Sequence, residues 1–160
     1  MIDSMPAIIG QVEAIDLPTH GIQSVPARID TGARTSAIWA TNIKFENGKI
    51  QFTLFDTSSS YYTGELIELG THSEAVVASS VGQPQLRYKV QLPIRIKGKR
   101  IKASFTLADR STQTYPILIG RSTLRGKFIV DVKAGTVFKE HEKKRTAELR
   151  NLIDFNQENN

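Results

Sequence analysis

Apolar and polar residues alternate along most of the chain, and this two-residue period predicts short β-strands with one buried face. Val25, Ala27 and Ile29 alternate with Pro26 and Arg28, so we expect a strand that leads directly into residue 30. An earlier strand is predicted over residues 8–17, followed by a turn over residues 18–21.

Two hairpins are indicated further along the chain. Asn47-Gly48 separates the alternating residues 43–45 from residues 50–54, and Asn-Gly favours a hairpin because both turn positions require a positive φ. The second hairpin is predicted over residues 90–107, with its turn at residues 97–100. Between them, the Ser- and Thr-rich residues 56–62 predict a loop, and residues 66–69 and 75–78 two short strands.

The last third of the chain changes in character. Residues 115–119 form a continuous apolar run, typical of a strand buried on both faces, and a single helical turn is expected over residues 122–125. Residues 128–132 and 136–138 predict a final hairpin. Residues 140–155 carry Leu and Ile at helical spacing and predict a helix, with frayed residues 156–160 after it.

Closely spaced short strands with one terminal helix predict an all-β fold, a small closed barrel with a C-terminal helix. We expect residues 1–138 to form the barrel domain and residues 139–160 a helical extension with a frayed tail. The length of 160 residues fits one domain with its own core.

Composition excludes several kinds of site. There is no cysteine, so disulfides and thiolate metal sites are excluded. Since no apolar run is long enough to cross a bilayer and the N-terminus lacks the pattern of a secretion signal, we expect a cytoplasmic protein with no membrane partner.

The net charge of +5 raises the question of an anionic partner. The densest basic cluster alternates with apolar residues around the turn of the second hairpin, which is typical of a solvated hairpin face. We therefore expect no nucleic-acid partner, and binding of an acidic or nucleic-acid partner by this hairpin stays open as an alternative. The cluster consists of Arg95, Lys97, Lys99, Arg100 and Lys102.

Two cofactor motifs are approached but not completed. His141-Glu142 begins a metalloprotease-like helix motif, but Arg145 replaces the second histidine, and its charge would repel Zn²⁺. Residues 120–127 approach a phosphate-binding loop, with the wrong glycine spacing and with Phe128 where a hydroxyl should bind Mg²⁺. We expect neither a metal nor a cofactor.

Asp30 is the main candidate for chemistry. It follows a predicted core strand and precedes Thr31-Gly32, where the alternation stops. Glycine permits unusual backbone angles and a close approach of another backbone. From this pattern alone, Asp30 is either a turn-forming residue or a reactive carboxylate.

Asp30-Thr31-Gly32-Ala33, followed later by the segment 117–124 with its Gly120-Arg121 pair, resembles the retropepsin-like aspartic proteases. The longer motifs at residues 30–37, 80–88 and 107–110 are similar to one bacterial branch, often labelled ATP-dependent zinc protease and associated with glutamate ligases that modify a ribosomal protein. The resemblance covers residues 8–138.

The resemblance implies an acid-protease barrel that acts as an aspartic endopeptidase on a peptide or protein substrate. Two carboxylates must share a proton and hold a water in this chemistry. Because the chain supplies only one such loop, the resemblance implies a symmetric homodimer in which two copies of Asp30 meet. A catalytically silent module of the same fold, for peptide binding or dimerisation, is the alternative.

The resemblance also assigns roles to individual residues. Asp30, Thr31 and Gly32 form the catalytic loop, in which Thr31 bonds across the two-fold axis and Gly32 allows close approach. Ala33, Arg34, Val81 and Gly82 contact substrate, the last two from the tip of a flap. Gly120 and Arg121 are structural. Arg34 departs from the acid common in retroviral enzymes and indicates a preference for acidic peptides. The extra residues between Phe55 and Ser79 indicate a differently hinged flap.

Overall fold

Short strands dominate the fold. The computed structural model describes residues 5–78, 81–135 and 138–160. The strands in this part of the chain are β1 (Ala7–Ile9), β2 (Val12–Leu17), β3 (Ile22–Ile29), β4 (Ser36–Glu46), β5 (Lys49–Leu54), β6 (Ile67–Leu69), β7 (Ser73–Ala78), β8 (Pro84–Ile96), β9 (Lys99–Ala108), β10 (Ile117–Ile119) and β11 (Phe128–Val130). The helices are α1 (Arg121–Leu124) and α2 (Lys139–Glu158), and Pro18–His20 forms a 3-10 turn.

Six strands close into a ring, in the order β10, β3, β2, β8, β9 and β4. The short strand β10 closes it, because it pairs in parallel with β3 and antiparallel with β4. β5 and β6 extend the sheet beyond β4, and β7 pairs with β8. The predicted all-β class, with a closed sheet and a C-terminal helix, is confirmed.

The core fills the interior of this ring. Every second residue of β8 and β9 points inward, so Leu92, Ile94 and Phe105 are almost fully buried. Ile117 and Ile119 of β10 are completely buried beside them. Complete burial of one such side chain stabilises the fold by about 1.5–3 kcal/mol, so β10 is firmly anchored despite its length.

Both predicted hairpins form, on two-residue turns. Asn47 and Gly48 have φ of 54° and 73°, and Lys97 and Gly98 have φ of 51° and 75°. Positive φ at both central positions gives the turn a twist that matches that of its strands. The short strands predicted at residues 66–69 and 75–78 also form, as β6 and β7.

The N-terminal strand differs from the prediction. Residues 8–17 do not form one strand, because the chain turns at Gly10, whose amide donates a 3.0 Å hydrogen bond to Glu13 Oε1. A Cβ at Gly10 would lie 1.6 Å from the carbonyl oxygen of Ala134, so only glycine fits this crossing. Because of this turn, β1 is not part of the barrel sheet, and it pairs in parallel with β11 in a separate two-stranded sheet.

Three C-terminal predictions also need correction. The strand predicted over residues 115–119 is shorter, because only Ile117–Ile119 pairs, although Tyr115 and Pro116 are buried. β11 covers only Phe128–Val130 of the strand predicted over residues 128–132, and it pairs with β1. Of the predicted partner strand, Thr136 and Val137 lie outside the described residues, and Phe138 is the N-cap of α2 instead of a strand residue. α2 also extends through residues 156–158, which we expected to fray.

The helix α2 contacts the barrel through its first two turns. His141 Nε2 donates to the Thr114 carbonyl at 2.8 Å, Arg145 Nε donates to the Gln113 carbonyl at 3.0 Å, and the Tyr115 hydroxyl donates to Glu142. The second half of the helix projects into solvent. In the described ranges, no helix has both the length and the apolar character needed to cross a bilayer.

Candidate active site

Asp30 lies directly after β3 and is hydrogen-bonded to the end of β10. Its amide donates a 2.9 Å hydrogen bond to the carbonyl of Ile119 in β10, and the preceding Ile29 amide donates to Gln11 at 2.8 Å. The backbone on both sides of the carboxylate is therefore fixed by neighbouring segments, while the residue itself stays half-exposed.

The loop after Asp30 folds back on the carboxylate. The Gly32 amide donates to Asp30 Oδ1 at 2.9 Å, and the Ala33 amide donates to the Asp30 carbonyl at 3.3 Å. Gly32 is not in the left-handed region, contrary to one reason for expecting glycine here. The missing side chain serves another purpose, since a Cβ would lie 3.2 Å from Asp30 Oδ1.

A close backbone crossing supports this loop from behind. A Cβ at Gly120 would lie 2.7 Å from the carbonyl carbon of Thr35 and 2.9 Å from the Ala33 oxygen, so a larger residue cannot occupy this position without a backbone shift. The buried Ser36 hydroxyl accepts a 3.0 Å bond from the Gly120 amide and lies 2.7 Å from Thr123 Oγ1. These contacts lock the start of α1 against the start of β4.

The segment that follows Gly120 holds the acid loop at three further points. The Arg121 amide donates to the Ala33 carbonyl at 2.8 Å, and the Ser122 amide donates to the Arg34 carbonyl at 3.0 Å. The Arg121 guanidinium reaches the tip of the loop and donates to the Thr31 carbonyl at 3.1 Å. The Thr31 and Arg34 side chains are exposed beside it.

The charges of the Asp30 carboxylate and of two further arginines, Arg87 and Arg28, all act on Arg110. Burial and the positive charges of Arg87 and Arg28 together lower the pKa of Arg110 to about 10, and the Asp30 carboxylate opposes this shift. Arg28 lies two residues before Asp30, hence on the same face of β3. Arg110 is held in place by a 2.9 Å bond from its Nε to the Tyr115 carbonyl. The site thus has an excess of positive charge.

Arg87 belongs to the β7–β8 hairpin, which corresponds to the predicted flap. Its guanidinium donates to Gln85 at 3.0 Å, and partial burial lowers its pKa. Val81, at the tip, is 79% exposed, and Gly82 has φ of +80°, as a tight turn requires. Ser80 lies outside the described residues. The hairpin thus carries an arginine whose charge acts on Arg110 and an exposed apolar tip.

The structure brings most predicted site residues together around one loop. Asp30, Thr31, Gly32, Ala33 and Arg34 form it, and Gly120 and Arg121 support it. Val81 and Gly82 stand apart on the β7–β8 hairpin. Sequence reasoning missed Arg28, Arg87 and Arg110. For Arg28 a signal was present, because strand alternation places it on the face of Asp30.

Three other aspartates show what an ordinary turn residue does in this protein. Asp56, Asp109 and Asp131 each accept a backbone bond from the residue two positions later, at 2.7, 2.9 and 2.9 Å. Asp30 makes the same local bond. Asp30 differs from them in the glycine whose amide makes this bond, in the hydrogen bond of its own amide to β10 and in the contact of its loop with Arg121, so the turn alone does not account for the site.

The basic hairpin is less uniform than its sequence indicates. Lys99 is half-buried, with its ammonium 5.4 Å from the centroid of the Phe128 ring and 3.4 Å from the Lys127 carbonyl. Arg95 and Arg100 are exposed and directly opposite one another across the two strands. Lys99 therefore has a packing role, whereas the other cations lie in solvent.

Comparison with known proteins agrees with this geometry. A Legionella pneumophila crystal structure of unknown function superposes with a TM-score of 0.65 at 25% identity, covering 83% of this chain and 98% of that one. Curated relatives named probable alpha-L-glutamate ligase are 32% identical over 129 residues in Shewanella pealeana and 26% over 133 residues in Desulfotalea psychrophila. These matches cover 78% and 81% of this chain but only 28% and 29% of the relatives.

This chain therefore spans less than a third of the length of the curated relatives that it matches. The family comparison is broader, since it includes the acid loop, the hairpin and the Gly120 crossing in one match over residues 8–141. The chain belongs to the RimB-like family, described as retropepsin-like aspartic endopeptidases.

Proposed function

We propose that the protein is a homodimeric aspartic peptidase in which Asp30 of one copy and Asp30 of a second copy activate one water. The observation that carries this proposal is the position of Asp30, a half-exposed carboxylate whose backbone is bonded to β10 at 2.9 Å and whose loop is held by Arg121. A carboxylate that takes part in proton transfer must be accessible and rigidly positioned, and Asp30 meets both conditions.

The chemistry requires the two carboxylates to differ in protonation. Two ionised carboxylates side by side repel each other, and the free energy of this repulsion keeps one of them protonated. Sharing of one proton by the two groups is established behaviour of aspartic proteases. The ionised Asp30 takes a proton from the water as it attacks the peptide carbonyl, and the protonated Asp30 donates to the carbonyl oxygen. Proton transfer to the departing amine then breaks the C–N bond.

An exposed apolar ribbon next to the acid loop supports a dimer. Ile8 and Ile129 are directly paired across β1 and β11 and are 58% and 56% exposed. The ribbon is joined to the loop through Gln11, whose carbonyl accepts from Ile29 and whose side chain donates to the Val132 carbonyl at 2.6 Å. Burial of this ribbon against a second copy would bring the two acid loops towards each other.

The excess of arginine supports acidic peptides as substrates. Guanidinium groups bind carboxylates through paired, charge-assisted hydrogen bonds, and the charges of Arg28, Arg87 and the Asp30 carboxylate all act on Arg110, so three guanidinium groups stand against one carboxylate there. The curated relatives are named as alpha-L-glutamate ligases. We therefore propose glutamyl peptides as the substrate class.

Hydrolysis of an oligoglutamate peptide by Asp30→Asn tests the catalytic proposal. We expect kcat to fall by about 10³-fold or more, the order of loss seen when an essential catalytic group is removed. Asp56→Asn is the matched control, since it alters a turn aspartate outside the site and should keep wild-type activity. Full activity of a folded Asp30→Asn protein would refute the proposal and favour a silent module.

Sedimentation tests the dimer separately. Ile8→Glu combined with Ile129→Glu places charges on the apolar ribbon, so we expect a folded monomer without peptidase activity. Leu152→Glu, on the exposed half of α2, is the control and should remain dimeric and active. A wild-type protein that is monomeric at every concentration, or a ribbon variant that stays dimeric, would contradict this arrangement.

A further inference from the structure

A cavity of about 590 Å³ lies at the base of the β7–β8 hairpin. Its described lining includes none of the residues placed around Asp30, so it is separate from the proposed active site. Its volume is within the range of small-molecule sites in proteins. The polar residues that line it are Thr71, His72, Ser73, Lys89, Gln91, Lys102 and Ser104.

Positive charge in this cavity comes from two strands. On the outer face of the sheet Gln91 pairs with Ser104, and Pro93 pairs with Lys102, so Lys89 and Lys102 are on the same face as these pairs. Among the described lining residues none is acidic, and the described part of the chain offers neither lysine an ion pair. Two uncompensated ammonium groups therefore converge on one concavity.

His72 adds a rigid polar group to the wall. Its ring lies between Phe45 and Tyr88, with centroid distances of 5.0 and 5.7 Å. Its Nδ1 is buried and has no hydrogen-bond partner in the described structure. A buried polar atom without a partner costs free energy, and such exceptions require an explanation. Packing against two rings holds the imidazole in place at the cavity.

We propose that this cavity binds the phosphoryl group of a small phosphorylated molecule. Ammonium groups act as point charges that suit a tetrahedral oxyanion, and the hydroxyls of Ser73 and Ser104 with the Gln91 amide supply further donors. Among the described residues that line the cavity there is no arginine, whose guanidinium would bind a flat carboxylate through two parallel hydrogen bonds. It thus differs in chemistry from the arginine-rich site around Asp30.

Imidazole ¹⁵N spectra of the full chain, titrated with inorganic pyrophosphate, test this site. The chain has three histidines, so each can be followed individually. We expect saturable shifts of His72, with His20 and His141 unchanged. Lys89→Gln combined with Lys102→Gln should raise the dissociation constant at least about tenfold, consistent with the loss of charged hydrogen bonds.

Two controls separate this site from other positive surfaces. Lys139→Gln with Lys143→Gln removes the same charge from exposed positions of α2 and should leave pyrophosphate binding unchanged. Arg87→Gln should also leave the His72 shifts unchanged, since it alters only the arginine cluster. The proposal is overturned by unaltered affinity in the Lys89/Lys102 variant, by His72 shifts that never saturate, or by a triglutamate peptide that binds there more tightly than pyrophosphate.

Discussion

The main-chain amide of Gly120 donates a 3.0 Å hydrogen bond to the hydroxyl of Ser36, and both residues are buried. This bond joins the end of β10 to the start of β4, immediately behind the Asp30 loop. The rigidity of the acid loop therefore depends on a small polar contact that lies outside the loop itself.

Ser36→Ala should destabilise the protein by about 1–3 kcal/mol, because the Gly120 amide would be left buried without an acceptor. Denaturant unfolding monitored by Trp39 fluorescence measures this change. Ser60→Ala, on the exposed loop after β5, is the matched control and should change stability by much less. Equal effects of the two substitutions would show that the Ser36 hydroxyl has no special role.

Gly120→Ala should lower the free energy of unfolding by about 1–3 kcal/mol or more, because the new methyl would overlap the backbone of Thr35 and Ala33. The loop that carries Asp30 must shift to relieve this overlap, so peptidase activity should fall even in the folded fraction. Gly70→Ala is the control, since a Cβ there meets nothing within 4 Å. Thermal unfolding and peptidase activity are measured on the same samples. An unchanged unfolding temperature and unchanged activity of Gly120→Ala would show that the backbone does not pass as close to Gly120 as described.

Arg110→Gln and Arg87→Gln should each lower kcat/KM for an oligoglutamate peptide about tenfold, through loss of a charge-assisted contact. A neutral peptide of equal length should be cleaved at nearly the wild-type rate. Arg125→Gln, at the end of α1, removes the same charge away from the cluster and should change neither value. Equal loss on both peptides would indicate a structural role for these arginines instead of substrate selection.

Glu142→Gln should lower the pKa of Tyr115 towards its usual value. In the native protein, burial raises the pKa of Tyr115, and the hydrogen bond to Glu142 and the Glu142 charge raise it further. Because the folded pKa exceeds the unfolded value, the neutral phenol contributes stability that is complete below about pH 10 and is lost as the pH rises towards the folded pKa.

Ultraviolet titration of the phenolate measures the change at Tyr115, and unfolding at several alkaline pH values measures its consequence. The Glu142→Gln protein should lose less stability above pH 10 than the wild type does. Glu140→Gln, at an exposed position two residues earlier in α2, is the control for the loss of one negative charge from this helix. A phenolate titration that is identical in all three proteins would show that Glu142 does not act on Tyr115.

Local patterns predicted much of this fold correctly. The hairpins at Asn47-Gly48 and at residues 97–100 formed as expected, the second on a shorter turn of Lys97-Gly98 alone, because backbone angles within a turn depend mainly on the residues in it. The strand before Asp30 was also recognisable, since alternation alone indicates its buried face. The motif around Asp30 led to the family that the comparison confirmed over residues 8–141.

Long-range contacts explain the errors. The predicted strand over residues 8–17 is interrupted because Gly10 crosses the backbone near Ala134, which is distant in sequence. β11 pairs with β1 for the same reason. A strand pattern specifies which face is buried, but it does not specify the partner strand.

The sequence by itself determined that Asp30 follows a core strand and begins a glycine-containing loop, because strand alternation and turn chemistry are local properties. Only the tertiary structure decided that Arg110, on a loop far along the chain, interacts with that carboxylate, and that Arg87 of the β7–β8 hairpin acts on Arg110. Coulomb interactions depend on distance in space, so charged side chains that are far apart in sequence interact only after the closed barrel has brought them close together.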